Sequence, residues 1–192
     1  MEKRNDCTDR KRWATLKSER IVSRPPWLSV RCDEVQLPDG RVIPEYYVLE
    51  YPDWINVIAI TEEGLFVMER QFRYGLGRTC YEIPAGVMEK GETPEEAARR
   101  ELEEETGYVG GTWTEIATLS GNATSMNNLS HSFLAVGVKP NGNVHLDATE
   151  DLEVKLLTRD EVYALLLNDE IKQSLMAAPL WRYFALGGLG KK

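Results

Sequence analysis

GVMEKGETPEEAARRELEEETGY, residues 86–108, changes character halfway along. Its second half opens with a helix start signal: Thr93 can cap, Pro94 suits the first helical position, and Glu96 completes a Thr-x-x-Glu capping box. Gly107 can take the left-handed conformation that ends a helix. The spacing predicts a helix over Pro94–Thr106, about three and a half turns long. Turned at about 100° per residue, Ala97, Ala98, Glu101, Leu102, Glu104 and Glu105 share one arc of about 160°. Glu96, Arg99, Arg100 and Glu103 lie on the other side. A solvated Glu-rich helix keeps its carboxylates away from its apolar residues. Here Glu101, Glu104 and Glu105 sit on the apolar, inward side, at spacings that make their side chains converge. Carboxylates crowded in this way repel one another unless a cation sits among them. Hard divalent cations such as Mg²⁺ take oxygen ligands of this kind, commonly beside substrate phosphates. The pattern therefore predicts a metal site.

The same stretch resembles the Nudix box, G-x5-E-x7-R-E-U-x-E-E-x-G-U, with U a bulky aliphatic residue. Gly86, Glu92, Arg100, Glu101, Leu102, Glu104, Glu105 and Gly107 fall in register. Tyr108 departs, being aromatic where the family usually has Ile, Leu or Val. The resemblance implies an α/β fold, an α/β/α sandwich around a mixed sheet. It also implies hydrolysis of a nucleoside diphosphate linked to another moiety, with Mg²⁺ or Mn²⁺ required. Glu101 and Glu105 are then expected as direct metal ligands, and Glu104 as a ligand or a water-mediated contact. The Ala85 carbonyl is expected to join them. Arg100 is expected to pair with Glu92 and brace the loop against the helix, a structural role that keeps the ligands in place.

Length and composition set the bounds. A chain of 192 residues suits one core, and 42% hydrophobic with 28% charged residues is ordinary for a globular protein. The net charge is −8, with no basic run beyond the first dozen residues, so a nucleic-acid backbone is not the expected partner. Cys7, Cys32 and Cys80 are widely spaced and form no C-x-x-C pair, which fits a reducing compartment and neither a disulfide framework nor a zinc site. No apolar run approaches membrane length, so no signal peptide or anchor is expected, and the cytoplasm is the expected location.

Residues 1–12 lack periodicity and are expected to be a mobile N-terminal segment. Residues 13–50 read as β structure: two extended runs interrupted at Pro25-Pro26, a Pro38-Asp39-Gly40 turn, and a returning strand. This extension resembles that of the ADP-ribose pyrophosphatase branch, where such strands help form a homodimer and shape the substrate site. Trp27 is the candidate to stack on a base there, the alternative being packing at a surface. Residues 51–192 are expected to form the catalytic domain. In it, residues 54–60 and 65–72 read as a hairpin of strands covered on both faces. Arg73 is either a phosphate ligand, its planar guanidinium matching two oxygens, or a surface arginine. Glu82, in a Glu-Ile-Pro-Ala-Gly run typical of the branch, is implied to hold substrate or metal. Gly86 would permit close backbone approach.

Residues 112–119, 130–138 and 152–157 read as further strands, and His131 as a strand residue. Thr158 opens a helix with a second capping box, and a last helix is expected over residues 169–186, broken or bent near Pro179. In the branch a catalytic glutamate often comes from a loop near residue 150. Glu150 is the candidate base, with Asp151 and Glu153 as substitutes, and Glu104 and Glu105 are the box carboxylates able to take part. Many ADP-ribose hydrolases carry a proline sixteen residues beyond the box glycine; this chain has Ala123 there. The resemblance implies ADP-ribose as the first substrate, giving AMP and ribose 5-phosphate, while the Ala123 departure counts against it and makes ADP-glucose or GDP-mannose types the alternative. A non-hydrolytic nucleotide-sugar sensor is disfavoured, because the acidic set is intact.

Overall fold

The computed structural model describes residues 12–25, 28–146 and 151–188. Two compact units divide the chain, Met1–Tyr51 with Asn122–Asn127, and Pro52–Gly121 with Asn128–Lys192.

In the first unit, β1 (Ala14–Arg24), β2 (Leu28–Gln36) and β3 (Val42–Glu50) form an antiparallel sheet in that order. The turn after β2 follows from its residues: Gly40 adopts φ +87°, its N–H donates to Leu37 O at 2.9 Å, and the Asp39 carboxylate accepts from Arg41 N–H. Asp33 is buried between strands, accepting from the Ser18 hydroxyl at 2.6 Å and Arg31 Nε at 2.8 Å. Those bonds hold its carboxyl below the usual range, although burial alone would raise it. Leu49 on β3 bonds to Ser125 O and Asn127 N–H, which ties in the 122–127 segment.

The second unit contains β4 (Trp54–Thr61), β5 (Phe66–Arg73), β6 (Arg78–Glu82), β7 (Ala85–Val87), α1 (Pro94–Thr106), β8 (Tyr108–Leu119), β9 (Ser130–Pro140), β10 (Leu152–Leu157), α2 (Arg159–Leu167) and α3 (Ser174–Ala185). The main path runs β10-β5-β4-β9-β8, with β6 added to β5 and β7 to β4. The β4–β9 pair is parallel and the others antiparallel, so the sheet is mixed. Strand alternation separates two cores. Ile55, Val57, Ala59, Val67 and Phe133 pack with Ala97, Ala98 and Leu102 of α1. Ile58, Ile60, Phe66 and Met68 pack on the other face with Val162 and Leu166 of α2 and Met176 and Leu180 of α3. Helices thus cover both faces, the expected sandwich.

Three details differ from the sequence reading. The β4–β5 hairpin pairs only at Ala59↔Val67 and Ile60↔Phe66 before splaying, and β6 and β7 fill the opened space. The last helix starts at Ser174 instead of near residue 169, because Asp169 lies at φ +55° and breaks the run after α2. Pro179 lies inside α3 without breaking it. A proline there cannot donate to the carbonyl four residues back, that of Leu175. The Asn56 side chain fills that role, its Nδ2 donating to Leu175 O at 3.0 Å.

Candidate active site

The α1 helix is capped as its sequence requires. Thr93 Oγ1 accepts from Glu96 N–H, Glu96 returns a bond to Thr93 N–H, and Gly107 closes the helix at φ +69°. Glu101 and Glu105 are buried on its sheet-facing side, whereas the Glu104 side chain is 41% exposed. Gly86 of β7 lies directly beneath Glu101: a Cβ built on Gly86 would overlap the Glu101 carboxylate. Glu105 Oε2 accepts from Ala85 N–H at 3.0 Å.

Arg100 corrects the helical-wheel reading. It does brace the loop, with Nε to Glu92 Oε1 at 2.7 Å and Nη2 to Glu92 Oε2 at 3.0 Å and to Val87 O at 3.1 Å. Its Nη1 also donates to Glu101 Oε1 at 2.9 Å and Glu104 Oε2 at 3.0 Å, so it reaches into the carboxylate arc. A wheel places Cβ atoms, while a long guanidinium spans to its neighbour at i+4. These bonds raise the Arg100 pKa and lower that of Glu92.

The neighbouring strands bring further groups to the same face. Glu82 on β6 is 1% exposed and takes a bidentate pair from Arg73 on β5, Nε to Oε1 at 2.8 Å and Nη2 to Oε2 at 2.5 Å. Directly across from Glu82 in the β5–β6 register is Glu69, 3% exposed. Sequence reasoning missed Glu69, although a charged residue closing the apolar run Phe66-Val67-Met68 was a usable signal. The Arg73 pKa is raised, first by its bonds to Glu82, with Glu105 and Glu69 adding to the field. Trp27 and Glu150 lie outside the described residues. His131 sits in β9 with Nδ1 3.0 Å from Glu115, as a strand residue.

Six carboxylates (Glu69, Glu82, Glu92, Glu101, Glu104, Glu105) thus gather around two arginines. Among the described residues, no three acidic, His or Cys groups stand in ready-made metal-binding geometry. Protein donors hold the carboxylates instead: Arg100 on Glu101 and Glu104, and Ala85 N–H on Glu105. The donor chemistry fits a hard divalent cation, being all oxygen, largely buried and in excess of the local positive charge. The missing side chain at Gly86 leaves room, a glycine cradle, for the Glu101 carboxylate to lie against the β7 backbone.

Comparison with known proteins agrees with this geometry. A NUDIX domain model matches residues 51–178, and a nucleoside diphosphate sugar hydrolase N-terminal domain model matches residues 13–49. The ADP-ribose pyrophosphatase of Bacillus subtilis (strain 168) is 35% identical over 158 residues, 82% of this chain and 84% of that one. The methanol dehydrogenase activator of Bacillus methanolicus is 34% identical over 161 residues, 83% and 86% of the two chains. A solved structure described as an ADP compounds hydrolase superposes with a TM-score of 0.78 at 21% identity, covering 94% of this chain and 97% of that one, a likeness of fold. With its box carboxylates in place on α1 and a NUDIX model spanning most of its length, the chain belongs to the Nudix family.

Proposed function

We propose that this chain hydrolyses the pyrophosphate bond of a nucleoside diphosphate sugar, ADP-ribose first, releasing AMP and ribose 5-phosphate. The observation that carries the reading is that buried Glu105 stands near enough to the Arg73–Glu82 pair to add to the field on Arg73, with buried Glu101 one turn away on the same helix. A divalent ion, Mg²⁺ or Mn²⁺, supplies charge neutralisation for the diphosphate and lowers the pKa of water. Glu101, Glu105 and the Ala85 carbonyl would hold it, with Glu104 as a further ligand or a water-mediated contact. Arg100 orders these carboxylates from behind and holds the Glu92 loop. Arg73, oriented by Glu82, presents its remaining N–H donors to phosphate oxygens. Water adds across the P–O–P link: one phosphorus gains the hydroxyl, the other leaves with the bridging oxygen, and a carboxylate takes the water proton. Glu150 is the candidate for that base, with Glu104, the most open of the box carboxylates, and Glu105 as alternatives. Trp27 is the candidate to stack on the base.

Ala123 supports a second reading, a hexose nucleotide of the ADP-glucose or GDP-mannose type. The first unit is proposed to make the protein a homodimer, since β1 is the sheet's free edge and is exposed at ten of its eleven positions, Leu16 and Ile21 among them. Cys32 and Cys80 are both free thiols, which fits the reducing cytoplasm; among the described residues no helix is long and apolar enough to cross a membrane.

The test is a panel of nucleotide sugars with Mg²⁺ and with Mn²⁺, followed by phosphorus NMR. AMP released from ADP-ribose far faster than from other sugars supports the first substrate. Turnover of hexose nucleotides alone replaces it, and no turnover with either metal removes the hydrolase reading.

A further inference from the structure

On the sheet face opposite α1, helices α2 and α3 leave a cleft of about 360 Å³ lined by Arg159, Tyr163, Trp181, Phe184 and Ala185. That volume is at the small end of ligand sites, large enough for one ring system and one charged group. Its walls are aromatic and partly open. Tyr163 and Trp181 are each 40% exposed and meet edge to face at 6.0 Å, and Tyr163 tilts against Phe184 at 5.0 Å. The base is rigid, because Phe184 stacks on buried Phe66 at 6.2 Å.

Arg159 distinguishes the cleft from an ordinary aromatic cluster. Its guanidinium lies 4.9 Å over the Phe184 ring. In this unit Arg70, Arg73, Arg78, Arg99 and Arg100 each pair with a glutamate. Arg159 pairs with no carboxylate among the described residues, in a chain of net charge −8. Glu161, its close neighbour, is committed to the helix cap, accepting from Thr158 N–H and Oγ1 at 2.7 Å each. The arginine thus lies over an aromatic floor with donor capacity left over.

We propose that this cleft is a second ligand site, separate from the carboxylate set, that takes a nucleoside monophosphate: a planar base against Trp181 and Tyr163, with the phosphate on Arg159. Flat aromatic walls accept any base through its π-face, and the guanidinium fork suits a terminal phosphate. The choice of a nucleoside monophosphate among aromatic anions rests on the hydrolase reading above, in which AMP is a product. The cleft would then let product report on the enzyme from outside the reaction centre.

The test reads the cleft alone. The chain has five tryptophans, and the Trp181 indole N–H is identified in ¹H–¹⁵N spectra by its loss in Trp181→Phe. AMP is titrated into the full-length protein in EDTA, with adenosine and inorganic phosphate as separate arms. A saturable Trp181 shift is expected with AMP at millimolar concentration or below, and not with either fragment. Arg159→Gln should weaken it about tenfold or more, Arg159→Lys less, while nucleotide-sugar hydrolysis stays within about twofold of wild type. The proposal is overturned if AMP leaves Trp181 unmoved, if adenosine moves it equally, or if Arg159→Gln keeps the AMP shift. Hydrolysis is followed separately by phosphorus NMR, so failure of the cleft and failure of the enzymatic reading are distinct results.

Discussion

Arg73 and Glu82 form a two-point ion pair across β5 and β6, with the carboxylate fully buried and the guanidinium 40% exposed. One end is anchored in protein and the other faces outward, the geometry of a held donor and not of a solvated surface arginine. Glu82→Gln removes one charge and one strong acceptor while keeping the shape. It is expected to lower kcat/KM about 10- to 100-fold and to cost about 1–3 kcal/mol of stability. Arg73→Lys should show a comparable kinetic loss with a smaller stability loss, because a point charge cannot reproduce the fork. Steady-state kinetics with urea unfolding on the same samples separates the two effects; unchanged kcat/KM in both variants removes Arg73 from the substrate site.

Gly86→Ala tests the cradle. The backbone of Gly86 is not in the left-handed region, so alanine adds no backbone strain there; its Cβ instead collides with the Glu101 carboxylate. The carboxylate must swing away, and Mn²⁺ affinity measured by calorimetry is expected to fall about tenfold or more. Activity should fall further, with the circular dichroism spectrum unchanged. Wild-type Mn²⁺ affinity in this variant would mean Glu101 is not a ligand.

How much of this was legible in sequence depends on whether the signal was local. Thr93, Pro94, Glu96 and Gly107 fixed both ends of α1, since caps are made of neighbours in sequence. Glu69 was legible in part, as a charge closing an apolar run, but its place opposite Glu82 comes from strand register, a relationship with no local spacing. Arg100 was misplaced because a wheel describes Cβ directions and ignores reach. The short β7 strand was invisible for a similar reason: Ala85-Gly86-Val87 carries no alternation, and only its pairing with Trp54-Ile55-Asn56 makes it a strand.

The Glu92–Arg100 brace should carry a pH signature. The Glu92 pKa is depressed chiefly by its bonds to Arg100. A depressed carboxylate contributes stability that is fully present above its unfolded value, about pH 4.3, and is lost as pH falls through the folded value. Urea midpoints followed from pH 6 toward acid should therefore drop less steeply below about pH 4.3 in Glu92→Gln than in wild type. Parallel curves in that range would mean the brace adds nothing to stability.

The exposed β1 edge makes a separate expectation about assembly. Leu16 and Ile21 are each about half exposed on a long strand whose outer backbone groups have no sheet partner among the described residues. Leu16→Lys with Ile21→Lys is expected to convert a dimer into a monomer in multi-angle light scattering. A monomeric wild type at micromolar concentration would sink the assembly proposal outright.

Asn56 and Pro179 are coupled through the Leu175 carbonyl, although they are far apart in sequence. Pro179 has no N–H to give that carbonyl, and Asn56 Nδ2 donates to it and to Ser130 Oγ at 3.1 Å. Asn56→Ala leaves both acceptors without that donor inside the protein and is expected to cost about 1–3 kcal/mol. Pro179→Ala restores a helical N–H four residues beyond Leu175, so the carbonyl regains a partner from its own helix. Part of the Asn56→Ala cost should then disappear in the Pro179→Ala background, giving a coupling of about 0.5–1.5 kcal/mol in a double-mutant cycle by urea unfolding. Strict additivity would show that the carbonyl was not the shared link. The position of α3 would then rest on its apolar contacts, those of Met176, Leu180, Tyr183 and Phe184.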